Sequence, residues 1–523
     1  MIRPNSLIQP RARPARAWRL LLPLTVVAAS IPLYWSTLHG YFLADDFGLV
    51  QLYARTSLAT FPSLFAADWS QGIWGPDLGE LRPIVGLTYW LEYRLWGADA
   101  AGYHAGNLLY HGLALWGLYV LVLESGRLLV RDPVDSNPPE EVADHRRSSA
   151  AVDVPGELRL HLLATLATAL FLVHPAHVEA VTWIAGRTDL LGAAALFWAM
   201  YGLARAWRTG SAGAAAAGFA AFAAGLFTKE NMVTLPALFA VYVLLDGRLA
   251  TRWRRALLLG APLVAGVIGW FLLRRITFGQ TTRVEDTAAA LDAFVGRLTF
   301  YAHVALPQYA ATASSILVLL FVLVAVYGAL TWNSRGRMLL FWGVAWTGIH
   351  FVPLVAVTYQ SPRHIFLASA GLLVAFATAA TVPFRLRPRL AGIAFLLCVL
   401  LLFRFTQHTV RALPAWETSS RYSRQLIALL REGGYPEQAL IEVGSNPPVT
   451  IWFWQWALPF AEEPPFLDLE LRVVGPPEWD CCASFTAERE RRLAEIAQGR
   501  ARQVYRIEFN HETDRFEDVT LRP

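Results

Sequence analysis

Two adjacent carboxylates, Asp45 and Asp46, follow the first apolar segment of this 523-residue chain. A carboxyl group at a membrane surface is partly desolvated, and a neighbouring carboxylate repels its negative charge. Both effects raise the pKa of at least one of the two groups, and a carboxylate with a raised pKa is a competent general base toward a hydroxyl group. The alternative interpretation is that the pair only caps or solvates a loop.

Further polar side chains follow at the ends of later apolar segments, on the same predicted side of the membrane as the two aspartates. His104 and Asn107 share one face of a helix because they are three positions apart. The other candidates are Arg82, His174, His177, Glu179, Arg187, Asp189, Lys229, Glu230 and Arg363. Ionisable residues are costly in or at a membrane, so each of these side chains is a candidate for binding a substrate or a donor phosphate.

Lys229 is the one lysine among the 45 basic residues of the chain, and the others are all arginines. The planar fork of arginine and the compact ammonium group of lysine are not interchangeable. A lysine in so arginine-rich a sequence therefore indicates a site that needs a compact charge. The alternative is that Lys229 pairs with Glu230 and extends to the membrane surface.

The group of His174, His177 and Glu179 contains residue types that bind metals. Two histidines three positions apart can share a metal ion, but their spacing does not fix a third ligand. We therefore predict no metal site here and favour histidines that hydrogen-bond a loop. No cofactor is indicated by the sequence, although a divalent cation held by Asp45 and Asp46 stays an open alternative.

The composition predicts that membrane helices position these side chains. Hydrophobic residues make up 55% of the chain and charged residues 16%, whereas soluble domains carry about 25% charged residues. The mean hydropathy is +0.38. Although the pI is near 9.1, the arginines lie in short clusters between apolar segments, where they orient membrane helices rather than bind nucleic acid.

A helix needs about 20 apolar residues to cross a bilayer, and about eleven segments approach that length. They are residues 18–38, 104–124, 161–178, 187–205, 212–227, 232–246, 255–274, 312–332, 338–357, 365–384 and 389–405. With the N-terminus in the cytoplasm, the arginine clusters at 205–208, 248–255, 335–337 and 385–389 all lie inside, as the positive-inside rule requires. We predict an all-α polytopic membrane domain over residues 1–409.

Residues 410–523 have a different pattern. Leucines at helical spacing predict a helix over 421–432 that ends at Gly433 and Gly434. Alternating apolar and charged residues predict strands over 466–474 and 505–509, and a stretch rich in Glu and Arg at 485–499 predicts another helix. We predict a small soluble α/β-type domain outside the cytoplasm. The arginine bias and this compact tail favour a bacterial inner membrane with a periplasmic C-terminal domain.

Several of these segments together resemble the membrane portion of the transmembrane and tetratricopeptide-containing O-mannosyltransferases and their bacterial relatives, in the GT-C superfamily. The matching segments, over about residues 40–370, are YFLADDFGLV, LRPIVGLTYWLEYRLWG, YHAGNLLYHGLALWGLYVL, FLVHPAHVEAVTWIAGRTDLLGAAALFWAM and GLFTKENMVTLPALFAVYVLL. The block HPAHVEAV…GRTDLL is the most specific of them. SPRHIFLASAG departs from the Arg-Tyr-Leu-Tyr-Leu-Pro-Ser-like run of the family, which leaves the donor sugar open.

The resemblance implies a GT-C-like fold and an inverting transfer of a sugar from a polyprenyl-phosphate-linked donor to an extracytoplasmic hydroxyl. Asp45 would match the first acidic position of the family's loop motif and act as base, with Asp46 positioning the acceptor or the base. Arg363, with Lys229 and Arg187, would face the donor phosphate, because an anionic leaving group needs fixed positive charge.

The tail leaves the acceptor open among a protein, a glycan and a lipid, because the eukaryotic members of the family carry tandem helical repeats where this sequence has an α/β-type pattern. Two other functions are weighed against the glycosyltransferase. A transporter or lipid flippase would place charged groups near mid-membrane and contain inverted repeats, and no convincing repeat is present. A non-catalytic membrane scaffold would use the tail to bind a partner.

Overall fold

A computed structural model of the chain describes residues 18–73, 79–129, 156–281, 287–305, 334–357, 359–381, 388–436, 439–449, 451, 457–467, 471–479, 483–499 and 503–520. Helices dominate these residues. In the first half they are α1 (Trp18–Ala28), α2 (Ser30–Leu33), α3 (Asp45–Arg55), α4 (Pro83–Trp96), α5 (Ala100–Leu129), α6 (Gly156–Leu172), α7 (Val178–Thr182), α8 (Arg187–Thr209), α9 (Ala212–Leu226) and α10 (Leu235–Asp246). They continue with α11 (Leu249–Phe278), α12 (Thr287–Ala305), α13 (Ser334–Phe351), α14 (Phe366–Thr381), α15 (Pro388–Glu432), α16 (Leu458–Ala461) and α17 (Ala483–Ala497).

Six helices in the described part of the chain are long and apolar enough to cross a membrane, or seven if a bent pair counts as one span. The six are Ala100–Leu129, Ile184–Thr209, Leu249–Phe278, Gly336–Val355, Pro362–Thr381 and Phe395–Glu432, and the bent pair joins Gly156–Leu172 to Pro175–Thr182 at 56°. The prediction of an integral membrane protein is therefore confirmed.

The predicted number of about eleven spans stays a prediction. Two shorter apolar helices, Arg19–Leu33 and Ala212–Leu226, coincide with two further predicted spans. The predicted span 312–332 lies outside the described residues. The first predicted loop, 39–82, contains helix α3 and a 3-10 helix at Phe61–Ala66 that the apolar pattern did not predict.

Small residues allow the membrane helices to approach closely. Helices α13 and α14 meet at Gly343 and Gly371, where a Cβ atom added to either glycine would lie within 2.6 Å of the other's carbonyl oxygen. Gly202 of α8 meets Gly218 of α9 in the same way, with 2.7 Å between an added Cβ and the partner's Cα. Glycine is suited to such crossings because it lets the two backbones approach closely, and close packing stabilises helix pairs in a membrane.

Helix α15 runs without a break for 45 residues, about 67 Å at 1.5 Å per residue. The predicted boundary between residues 409 and 410 lies within it. The predicted helix 421–432 is its last part, and it ends immediately before Gly433 and Gly434 as the sequence indicates. Gly434 has a φ of +63°, a left-handed conformation that glycine adopts at little cost.

Beyond α15 lies a four-stranded sheet of order β2-β1-β3-β4. Its strands are β1 (Leu440–Val443), β2 (Arg472–Val474), β3 (Val504–Asn510) and β4 (Arg515–Asp518). Strand β1 is parallel to β2 and β3, and β4 is antiparallel to β3. Strand β3 contains the predicted strand 505–509, and α17 overlaps the predicted helix 485–499. Of the predicted strand 466–474, residues 472–474 form β2 and residues 468–470 lie outside the described part.

The sheet region and the loop after the first helices share one hydrophobic core. Phe466 packs against Phe42 and Phe47, with ring centroids 5.3 and 4.7 Å away. The amide of Gln51 donates to the carbonyl oxygen of Phe460 at 3.2 Å. The C-terminal region therefore supports the loop that contains Asp45 and Asp46.

Candidate active site

The loop that carries the two aspartates is fixed by Asp46. One carboxylate oxygen of Asp46 accepts the N–H of Leu43 and the other accepts the N–H of Ala185, each at 2.9 Å. Ala44, which follows Leu43 in the chain, has a φ of +43°, a value that a residue with a side chain seldom adopts. These bonds join the start of α3 to the segment before α8, so that two distant parts of the chain meet at the predicted site.

The environments of Asp45 and Asp46 differ. Asp46 is 1% exposed, and burial raises its pKa well above the usual range, with Asp45 adding to the rise and the N–H groups of Leu43 and Ala185 opposing it. Asp45 is half-buried at the first position of α3. Main-chain donors occupy both oxygens of Asp46, and Asp45 is the more exposed of the two carboxylates.

Arg363 forms the centre of a charged cluster close to Asp45. Its Nε and Nη1 lie 3.1 Å from carboxylate oxygens of Glu179 and Asp189, and Nη2 donates to the hydroxyl of Tyr359. Burial raises the pKa of Tyr359, Arg363 lowers it, and Asp45 is the largest contributor among the carboxylates that raise it. Asp45 therefore lies within electrostatic range of Tyr359, which bonds Arg363.

Asp189 joins two cations. One of its oxygens accepts from Lys229 and the other from Arg363. Lys229 packs over Gly192, where an added Cβ would lie 3.2 Å from the Cβ of Lys229. We call Glu179, Asp189, Lys229 and Arg363 the Arg363 cluster. In this cluster the two cations are matched by two carboxylates, so an incoming phosphate would have to replace a carboxylate partner.

Arg82 and Glu230 form a neighbouring cluster. Arg82 lies 2.8 Å from Glu230 and 2.7 Å from Glu80, and Glu80 accepts the indole N–H of Trp69 at 2.7 Å. The alternative in which Lys229 pairs with Glu230 is therefore wrong. Glu230 bonds Arg82, which immediately precedes α4, and Lys229 bonds Asp189 of α8, because the packing of these elements brings the partners together.

Arg187 lies outside the Arg363 cluster. It is fully buried, forms an ion pair with Glu92, and its guanidinium lies 4.2 Å from the ring centroid of Tyr89. Its remaining donors bond the carbonyl oxygens of Ile184 and Tyr103 and the hydroxyl of Thr88. This geometry gives Arg187 a role in holding helices together, and its contact with a donor phosphate stays a prediction.

His174, His177 and Asn107 form hydrogen bonds with residues outside the Arg363 cluster. His177 bonds the carbonyl oxygen of Phe171 at 2.8 Å and the hydroxyl of Ser369 at 2.9 Å. His174 lies 3.3 Å from the carbonyl oxygen of Ala305 and accepts the N–H of Ala176. Asn107 donates to the carbonyl oxygen of Trp183 at 2.9 Å. His104 lines a cavity that none of these three residues lines.

No group of three or more His, Cys, Asp or Glu side chains in the described ranges is arranged to hold a metal ion. His174 and His177 bond main-chain and hydroxyl groups instead, and the two oxygens of Asp46 bond main-chain N–H groups. The described geometry therefore offers hydrogen-bonding roles for the residues that were weighed as metal ligands.

Three residues of the site were not singled out from the sequence. Tyr359 bonds Arg363, the ring of Trp183 lies 5.0 Å beneath the same guanidinium, and Glu92 pairs with Arg187. Glu92 could have been found, because a lone carboxylate within an apolar stretch needs a buried partner. The contacts of Trp183 and Tyr359 with Arg363 depend on helix packing, so no local sequence pattern predicts them.

The chain is similar to several protein O-mannosyltransferases, which confirms the resemblance seen in its motifs. It is 28% identical over 179 residues to protein O-mannosyl-transferase F38B6.6 of Caenorhabditis elegans, a match that covers 32% of this chain and 21% of that protein. It is 31% identical over 182 residues to Tmtc3 of Drosophila melanogaster, covering 33% and 18%. It is 28% identical over 240 residues to human TMTC4, covering 42% and 29%. The matches thus span less than a third of each relative.

No protein-family model matches the chain. Among solved structures, ArnT from Cupriavidus metallidurans bound to undecaprenyl phosphate is 15% identical, with a TM-score of 0.45 over 95% of this chain and 94% of that one. Its apo form is 14% identical, with a TM-score of 0.47 over 96% and 94%. These TM-scores are too low to assign a shared fold or ligand.

Proposed function

We propose that this protein is a GT-C-type membrane glycosyltransferase that moves a sugar from a polyprenyl-phosphate donor to an extracytoplasmic hydroxyl. The observation that carries the proposal is the position of Asp45, a half-buried carboxylate whose charge acts on Tyr359, the hydrogen-bond partner of Arg363. A base and fixed cations at one place are what a transfer with an anionic leaving group requires. The similarity to O-mannosyltransferases supports the same class of reaction.

In the proposed reaction Asp45 accepts the proton of the acceptor hydroxyl. The acceptor oxygen forms a bond to the anomeric carbon of the sugar while the bond from that carbon to the phosphate oxygen breaks. The electron pair of the broken bond stays on the phosphate, which leaves already ionised, so no general acid is needed. A single displacement of this kind inverts the anomeric configuration, and its transition state resembles an oxocarbenium ion.

Arg363 and Lys229 are the proposed ligands of the leaving phosphate. Both are largely buried, and burial in a low-dielectric site strengthens their effect on a developing negative charge. Their carboxylate partners, Glu179 and Asp189, hold them in place before the donor binds. The phosphate would exchange with one of these carboxylates, since a buried anion and cation are stable only when paired.

The charges at the two ends of α8 support a site at one membrane surface. Asp189 lies in its first turn, and Arg208 in its last turn lies 2.5 Å from Glu124 of α5. The two residues are about 28 Å apart along the helix axis at 1.5 Å per residue, close to the ~30 Å of a hydrocarbon core. Charged groups at the two surfaces favour a surface site over the mid-membrane charges of a transporter.

The topology in the proposal has a cytoplasmic N-terminus and a C-terminal domain outside, in a bacterial inner membrane. The partners are a polyprenyl-phosphate sugar, membrane lipid and a protein, glycan or lipid acceptor. The positive-inside distribution of arginines supports this orientation.

The test uses purified protein and a panel of radiolabelled polyprenyl-phosphate sugars. Wild type is expected to release sugar from one donor, and Asp45→Asn to lower kcat by about 10²- to 10⁴-fold, the usual contribution of a general base. Asp292→Asn is the matched control, because Asp292 is exposed on α12 and undergoes the same change of charge. Equal turnover by wild type and folded Asp45→Asn would exclude Asp45 as the base. Consumption of no donor by folded wild type would instead favour a transporter, a flippase or a scaffold.

A further inference from the structure

A cavity of about 330 Å³ lies beside the aspartate loop, the segment 41–46 that leads into Asp45 and Asp46. Its walls come from the 3-10 helix Trp35–His39, the first turns of α5 and the outer part of α15. The polar and aromatic residues that line it include His39, Tyr41, His104, Trp416, Ser420 and Arg424. Its volume falls at the lower end of the ~300–1,000 Å³ of small-molecule sites.

His104 is the feature of this cavity that points to a ligand. The side chain is 3% exposed, and among the described residues neither ring nitrogen makes a hydrogen bond of standard geometry, the main chain of Tyr41 being only a weak polar neighbour. A neutral imidazole has one donor and one acceptor, and a buried polar atom without a partner is unfavourable. A hydroxyl group both donates and accepts, so a hydroxyl-bearing ligand in the cavity complements His104.

The rest of the lining fits a hydroxylated ring. Arg424 donates from Nη2 to the carbonyl oxygens of His39 and Gly40, each at 2.9 Å, and its guanidinium lies 5.5 Å from the ring centroid of Tyr41. Arg424 is in no ion pair with the described residues, so its other N–H groups are not neutralised by a carboxylate. Aromatic faces beside several polar groups allow apolar and hydrogen-bonding contacts with one small ligand.

Two residues of the cavity wall connect the cavity to the segment that carries the proposed base. Leu43 and Thr182 line the cavity. The next residue, Trp183, donates its indole N–H to the carbonyl oxygen of Leu43 and lies under Arg363. Asp45 follows Leu43 by two residues, so their Cα atoms are at most about 7.6 Å apart. A ligand in the cavity would therefore lie near the segment that carries Asp45.

We propose that this cavity binds the acceptor, and that the acceptor is a carbohydrate. The proposal rests on the proposed glycosyltransferase function. His104 bonds a hydroxyl of the acceptor, Tyr41 and Trp416 contact its ring, and another hydroxyl is presented to Asp45. His104 is thereby separated from the residues that face the donor phosphate.

The first experiment measures binding without the reaction. Glu417 is exposed and lines the cavity, so Glu417→Cys is labelled with a maleimide in a Cys481→Ser, Cys482→Ser background, where Cys398 is buried. The probes are methyl glycosides of mannose, glucose, galactose and N-acetylglucosamine. At least one is expected to slow labelling by about fivefold or more, as occupation of the site requires. Failure of every glycoside to slow labelling overturns the proposal.

Two histidine variants connect that protection to the cavity. His104→Phe keeps a ring but removes both nitrogens, and it is expected to abolish protection and to raise the KM for the acceptor by about tenfold, the effect of one lost hydrogen-bonded contact. His111→Phe is the matched control. His111 lies on the same helix and is also buried without partners for its ring nitrogens, but it does not line the cavity. Equal protection in the two variants contradicts the proposal.

Hydrolysis of the donor in the absence of an acceptor separates the two proposals. If wild type hydrolyses a polyprenyl-phosphate sugar but no glycoside protects Glu417→Cys, the cavity does not bind the acceptor and the glycosyltransferase stands. If a glycoside protects but no donor is ever consumed, the cavity binds a carbohydrate and the transfer reaction is wrong, which also overturns the acceptor assignment.

Discussion

Asp45 and Asp46 are adjacent in the chain but have different surroundings. Asp46 is enclosed, and its two oxygens accept main-chain N–H groups from two distant segments. Asp45 is half-buried at the start of α3, within electrostatic range of Tyr359. The same residue type therefore holds the backbone at one position and is the proposed base at the preceding one.

The substitution Asp46→Asn is expected to destabilise the protein. Asparagine keeps one carbonyl oxygen but places an NH₂ group against the second main-chain donor, so the loss is about 1–3 kcal/mol, the cost of a buried donor without a partner. Thermal unfolding in detergent measures it. Asp45→Asn is the comparison and should lower the Tm by less, because Asp45 is the more exposed of the two carboxylates. An equal loss of Tm in both variants would contradict the separate roles.

Arg363 is expected to be irreplaceable by lysine. An ammonium group has no planar fork, so Arg363→Lys cannot contact Glu179, Asp189 and Tyr359 together. The donor KM should rise by about tenfold, because one charge-assisted contact is worth about that factor in affinity, and kcat should fall. Arg205→Lys, exposed near the opposite end of α8, is the control. An unchanged donor KM in Arg363→Lys would remove Arg363 from the phosphate site.

At the scale of elements, close contacts between glycines determine how α13 packs on α14. Gly343 faces the carbonyl oxygen of Gly371, whereas Gly348 on the same helix has no atom within 4 Å of an added Cβ. The same substitution at these two glycines therefore tests the helix contact itself. Helix α14 begins at Phe366, three residues after Arg363, so its packing also positions the charged cluster.

Gly343→Ala is expected to lower stability by about 1–3 kcal/mol, the usual cost of overpacking. Gly348→Ala should be neutral or slightly stabilising, because alanine favours a helix over glycine by about 1 kcal/mol. Unfolding in mixed detergent micelles compares the two. The contact would be shown to be unimportant if both variants unfolded at the same denaturant concentration as wild type.

At the scale of the whole molecule, the C-terminal region and the aspartate loop form one packed unit. Their shared core includes Phe47, Leu426, Ile441 and Phe466. Ser423 of α15 also donates to the carbonyl oxygen of Phe42 at 2.7 Å. The long helix α15 therefore joins the membrane part to the sheet and contacts the site on its way. Loss of stability in the C-terminal region should disturb the loop that carries Asp45.

Glu462 is expected to make that stability depend on pH. It is buried against Arg492, and burial raises its pKa to about 7 from 4.5. Between these two values the folded state holds a proton that the unfolded state has released. Stability is therefore greatest below pH 4.5 and decreases as the pH rises to 7, by about 3 kcal/mol for a shift of this size.

Glu462→Gln should remove this dependence, because glutamine does not titrate but keeps an oxygen for the N–H of Val473. Hydrogen exchange of β2 at pH 5 and pH 8, corrected for intrinsic rates, measures the difference in wild type and variant. The same loss of protection in both proteins would show that Glu462 is not the group responsible.

The sequence predicted the features that depend on local pattern. Apolar length located most of the described membrane helices, the alternation at 505–509 located β3, and Gly433 located the end of α15. It also indicated which residue types carry chemistry, including Asp45, Lys229 and Arg363. These predictions succeed because helix periodicity, hydropathy and helix-termination signals depend on a few consecutive residues and not on the neighbouring elements.

The tertiary structure decided which of those residues meet. Arg363 reaches Asp189 across 174 positions of sequence, and Lys229 reaches the same carboxylate across 40, in preference to the adjacent Glu230. Arg187 is held by Glu92, and His104 lies at a separate cavity. No local pattern contains these pairings, because they arise from how closely the helices pack and from the need of each buried charge for a partner.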